Sequence, residues 1–121
     1  MISKMKINVA NREGIVNDSL LRSLIGDDDE AISRIYLAFL ESGQSIFEEI
    51  SLALEEPNWT PMLDATHKLK SSALSVGATG VYESAISIEL LIQSDRPREE
   101  ITIAVNFLNE QFTLVGNVIR G

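Results

Sequence analysis

Apolar residues return along most of the chain at intervals of three and four, the period of a helix that buries one face. No stretch alternates apolar and polar positions convincingly with the period of two that a half-buried strand requires. A short first helix is expected to start at Asn17 or Asp18, both good N-caps, and to carry Leu20, Leu21 and Leu24 as far as Gly26. The run Asp27-Asp28-Asp29 then caps a long helix, whose N-terminus favours negative charge. Its apolar stripe reads Ile32, Ile35/Tyr36, Phe39, Gly43, Ile46/Phe47, Ile50 and Leu54, and it stops near Pro57. Thr60-Pro61 restarts the chain, with threonine expected at the N-cap and proline at the first helical position. That helix runs to Gly77, a suitable residue for a helix C-terminus. A fourth covers residues 79–93 with Val81, Ala85, Ile88 and Ile92 on one face, and Ser94-Asp95-Arg96-Pro97 breaks it. The last, from there to the C-terminus, repeats Ile101, Ala104/Val105, Leu108, Phe112, Val115 and Ile119.

Short breaks between long amphipathic helices make neighbours antiparallel. The pattern therefore predicts an all-α fold, an antiparallel up-down four-helix bundle with a short additional N-terminal helix. A length of 121 residues fits one domain. Residues 17–121 are assigned to the bundle, and residues 1–16 to an N-terminal segment that is either frayed or packed across one end of it. No internal repeat, low-complexity tract or second domain is apparent.

Composition narrows the functional classes. The chain has no cysteine, which removes disulfides, thiolate metal sites and cysteine nucleophiles together. Its first residues lack the apolar run of a signal peptide, and no stretch approaches the ~20 apolar residues of a membrane helix. A cytoplasmic location is expected, with a monomer as the default state. The net charge of −8 repels phosphate backbones and anionic lipids, which argues against nucleic acid and membrane partners. One histidine without cysteine leaves only carboxylates for a metal, and neither H-x₃-H nor D-x-D-x-D-G occurs, so no metal site is expected.

Chemistry that needs an imidazole has one address, His67. At about 100° per residue, Met62, Ala65, Leu69, Ser72, Ala73 and Val76 gather into one stripe that must face the core. His67 lies roughly 170° from the middle of that stripe, which places it in solvent rather than among the buried side chains. Lys70 and Ser71, at +3 and +4, share its face one turn away, and Lys68 sits alongside. An ammonium one turn from an imidazole can pair as a point charge with a phosphoryl group carried on the ring. Leu63 and Leu74, at −4 and +7, fall near the same face. They either form a small apolar docking surface or cover the seams to neighbouring helices.

The stretch Ala65-Thr66-His67-Lys68-Leu69-Lys70-Ser71-Ser72-Ala73, followed by Val76-Gly77-Ala78, resembles the signature of the histidine-phosphotransfer (HPt) family. There the helix around the phosphoacceptor reads approximately A-H-x-L-K-G-S-[SA]-x-x-x-G-A. The histidine, the leucine at +2, the lysine at +3, the small residues at +5 and +6 and Gly-Ala at +10 and +11 all match. The likeness extends to a short helix ending in Gly-Asp-Asp, a long helix with central Phe39, and acidic Glu89 at +22, and spans nearly the whole chain. One departure is Ser71, where the family usually has glycine. Its side chain could crowd a partner, or its hydroxyl could bond the ring or the phosphoryl oxygens. Some members carry glutamine at +22, where Glu89 adds negative charge.

The resemblance implies a phosphorelay carrier. His67 is the phosphoacceptor, Lys70 stabilises the phosphoryl group, Lys68, Ser71 and Glu89 support, and Leu63 and Leu74 dock the partner. The partners implied are receiver domains of response regulators or of a hybrid sensor histidine kinase, and they bring the Mg²⁺, so this chain needs no cofactor. It has no P-loop and no glycine-rich nucleotide loop, so it is not expected to turn over ATP independently. The competing reading is a non-catalytic helical adaptor with an incidental histidine. It accounts for the bundle and the acidity but leaves the matching offsets of Lys70, Ser72 and Gly77-Ala78 unexplained. A kinase dimerisation domain also exposes a helical histidine, but pairs it with an adjacent acidic residue and a downstream ATP-binding domain. Met1 at the start favours a free-standing protein over a module cut from a hybrid kinase.

Overall fold

The breaks seen in the sequence delimit five helices in a computed structural model that describes residues 15–121: α1 (Ser19–Ile25), α2 (Asp29–Ala53), α3 (Thr60–Val76), α4 (Thr79–Gln93) and α5 (Arg98–Arg120). No strand occurs among the described residues. Each of the four long helices packs on the next in sequence, α5 returns to α2 to close the bundle, and α1 lies against α3. The architecture is the all-α four-helix bundle with a leading helix that the periodicity predicts. The core is drawn from the expected stripes, with Ile32, Tyr36, Ile50, Met62, Leu69, Ile88, Ile101, Leu108 and Ile119 almost wholly buried. In α1 only Leu21 is buried; Leu20 and Leu24 remain exposed. No helix among the described residues is long and apolar enough to cross a membrane.

The starts and stops follow local chemistry. The Asp28 carboxylate accepts from the amides of Glu30 and Ala31, both at 3.1 Å, and so satisfies two of the free donors of α2. At α3 the expectation needs correcting by one residue. Trp59 occupies the N-cap position, Thr60 is already helical, and the Asn58 side chain accepts from the Thr60 amide at 3.0 Å. Held in this way the Thr60 amide belongs to the first turn, so threonine enters the helix instead of capping it. The loop ahead of α3 is held from α5. The Arg98 guanidinium lies 4.2 Å from the Trp59 ring centroid and donates to the Leu54 and Glu56 carbonyls.

The other end of α3 is more tightly specified. Gly77 takes φ 74° and ψ 23°, the left-handed conformation that closes helices and that glycine adopts without a Cβ penalty. A Cβ at this position would also overlap the backbone carbonyl of Asn17. That approach is made because the Asn17 amide donates to the Gly77 carbonyl at 2.9 Å. It seats Val16, which is wholly buried, and partly buried Ile15 against the bundle. The last two residues of the expected 1–16 segment are therefore packed; its remainder lies outside the described residues.

Tyr36 completes this end. Its hydroxyl donates at 3.0 Å to the carbonyl of Val76, the last residue of α3, where no further helical amide is available. Burial pushes the Tyr36 phenol above its ordinary range, so it persists as a donor. Arg22 joins α1 to the start of α2, bonding Asp18 at 2.8 Å and Asp29 at 2.9 Å. These carboxylates, Asp18 foremost, raise its proton affinity and keep it charged. Replacing Gly77 by alanine is expected to destabilise the bundle by at least about 1–2 kcal/mol, from the left-handed backbone and the overlap with Asn17 together. Urea unfolding followed by circular dichroism measures this; an unchanged midpoint would show that the Asn17–Gly77 contact is not needed.

Candidate functional site

Helix α3 has two distinct faces. Met62, Ala65, Leu69, Ala73 and Val76 are buried, as their spacing requires, and His67 is exposed on the side turned away from them. Among the described residues no side chain or backbone group bonds the imidazole. The backbone beneath it is fixed. Leu69, two residues on, and Ala65, two residues before, are locked in the core, so the ring projects from a rigid helix rather than a loop.

The sequence does not announce what the neighbours of His67 are bonded to. Lys70 Nζ lies 2.8 Å from Glu89 Oε1 on α4, and the Thr66 hydroxyl lies 3.5 Å from Glu89 Oε2. Glu89 thus bridges the positions just before and one turn after the histidine. The pair is partly buried, with side-chain exposures of 26% for Lys70 and 14% for Glu89, so it is screened less than a surface pair. Lys68 is different: its Nζ pairs with Glu49 Oε1 on α2 at 2.8 Å, but the two side chains are 53% and 50% exposed. A pair this open contributes little and is readily broken.

The remaining expected residues divide. Ser71 is exposed, one turn from the imidazole. Leu63 is only partly exposed and packs against the core, so it covers a seam between helices. Leu74 is 55% exposed and stands free of the core, as a docking residue requires. Two contributors were not singled out from the sequence. Thr66 is fully buried. It follows Met62 by four residues and so falls within the apolar stripe, where a hydroxyl is the signal of a buried polar role. Glu49 belongs to another helix and carries no local signal.

An imidazole exposed on a rigid helix, with an ammonium one turn away, is equipped to accept a phosphoryl group and to balance part of its charge. No group of three or more His, Asp or Glu side chains among the described residues is arranged to hold a metal ion.

Comparison with known proteins agrees with this geometry. The family model of the Hpt domain matches residues 34–115, more than half of the chain. No curated protein matches it. Among solved structures, a rice protein described as histidine-containing phosphotransfer is similar in fold, with a TM-score of 0.81 at 21% identity. The match covers 98% of this chain and 90% of that one. The chain belongs to the histidine-phosphotransfer (Hpt) domain family, and its role is that of a phosphorelay carrier.

Proposed function

We propose that His67 is the residue that carries the phosphoryl group, exchanging it with the phosphoaspartate of a receiver domain. The observation that bears most weight is the exposure of the lone histidine on the outer face of α3 while the residues two before and two after it are buried. In the exchange the lone pair of a ring nitrogen, Nε2 by family resemblance, attacks phosphorus in line. An N–P bond forms as the acyl-phosphate O–P bond breaks, and the departing electron pair returns to the aspartate carboxylate. The reverse reaction passes the group to a second receiver. Neither direction requires independent turnover or a cofactor bound to this chain.

Most of the rate enhancement then comes from positioning and charge neutralisation. The receiver supplies its acidic cluster and Mg²⁺. This chain supplies the nucleophile and the ammonium of Lys70, with exposed Leu74 available as an apolar contact beside them. Lys68 adds positive potential at the edge of the site once its open pair with Glu49 parts. Leu63 supports the helix from beneath, and Ser71 is small enough to leave the ring accessible. A monomer acting in the cytoplasm, on receivers of response regulators or of a hybrid sensor kinase, is consistent with this role.

The test is to incubate the chain with a panel of phosphorylated receiver domains and Mg²⁺, and to follow acid-labile, base-stable label. Label is expected on the parent and not on folded His67→Gln. Label on both would move the acceptor elsewhere, and binding without transfer would favour an adaptor. Lys70→Ala is expected to slow transfer roughly tenfold while leaving helical content unchanged, since the lysine lies off the core stripe. Rapid-quench kinetics beside circular dichroism measures both, and equal rates would remove Lys70 from the mechanism.

A further inference from the structure

The side chain expected to balance the phosphoryl charge is already engaged. Lys70 Nζ is bonded at 2.8 Å by Glu89, whose carboxylate is mostly buried between α3 and α4 and has the Thr66 hydroxyl 3.5 Å from its second oxygen. Thr66 is fully buried and also donates to the Leu63 carbonyl at 3.2 Å, so the carboxylate is flanked by groups of limited freedom. Lysine is the mobile member of the pair, a compact charge on a four-carbon stem with three rotatable donors.

Resting on the assignment of His67 as phosphoacceptor, we propose that Glu89 and the phosphoryl group compete for Lys70, and that Glu89 is thereby the positioning residue that sets how readily the carrier gives its phosphoryl group away. In the unloaded carrier Glu89 keeps the ammonium one turn from the ring and in a defined place. On loading, the phosphoryl oxygens draw Lys70 across. Glu89 is then left in a partly buried site without its cation, an unfavourable arrangement for a carboxylate. The pairing is thus satisfied in the unloaded state and contested in the loaded one. That difference raises the free energy of the phosphohistidine form and biases exchange towards the receiver. Glutamine at this position would still hydrogen-bond Lys70 and Thr66 but would not bind the ammonium as a counter-ion.

The consequence appears in an equilibrium rather than in folding. Label is equilibrated between a receiver that labels the parent chain and each of four carriers: parent, Glu89→Gln, Lys70→Ala and the double variant, each checked for helical content. Glu89→Gln is expected to shift the ratio of labelled carrier to labelled receiver about three- to tenfold towards the carrier. In the Lys70→Ala background the same replacement is expected to change it by less than about twofold, because the contested cation is gone. An unmoved ratio in Glu89→Gln, or an equal shift in both backgrounds, overturns competition for Lys70 and leaves His67 as the carrier residue. A parent chain that takes no label at His67 from any receiver, or from phosphoramidate used as a small phosphodonor, overturns both readings together.

Discussion

The arrangement depends on burial of one stripe of α3. Met62, Ala65, Leu69, Ala73 and Val76 are each at most 4% exposed, and removing such side chains from water is the main favourable term in folding. Once that stripe is committed to the core, the rotation of α3 about its axis is fixed. His67 then has no choice of environment: it faces solvent, with Lys70 and Ser71 one turn above it. Packing thus makes the exposed face of α3 without any interaction directed at the histidine itself. A rigid nucleophile on a helix is also positioned more closely than one on a loop, which matters where catalysis rests on alignment.

Rotation alone does not fix the helix along its length. The two ends of α3 are held by other means: Arg98 grips the loop before it, and the Gly77 turn, the Asn17 amide and the Tyr36 hydroxyl close it. The glycine serves here as structure, since its left-handed backbone lets the chain ahead of α1 approach and seats Val16 in the core. Across the bundle Gly43 plays a related part, leaving room on α2 for the Phe112 ring of α5, which packs against Phe39 at 5.8 Å between centroids.

Much of this was legible in the sequence because it follows from periodicity and local caps. The helices, the core stripe of α3, the outward histidine and the Asp28 cap all depend on residues close to one another in the chain. What was not legible depends on pairs that only the fold brings together. Glu89 stands 19 residues beyond Lys70 and Glu49 stands 19 before Lys68, and no spacing rule says which cation meets which carboxylate. The same limit applied to the leucines, of which Leu63 covers a seam and Leu74 does not. The start of α3 differed by one residue because the Asn58 side chain holds the Thr60 amide and draws threonine into the first turn, leaving Trp59 at the cap.

The chain's family shows a carrier, and the central claim is the atom that carries. The most direct measurement is a phosphorus–proton correlation spectrum of the intact protein after loading from phosphoramidate. A phosphorus signal coupled to the ring protons of His67, and lost on acidification, is the result this account requires. An acid-stable signal coupled instead to the β-protons of Ser71 would contradict it, and the bundle would then be presenting a hydroxyl acceptor where the imidazole was assigned.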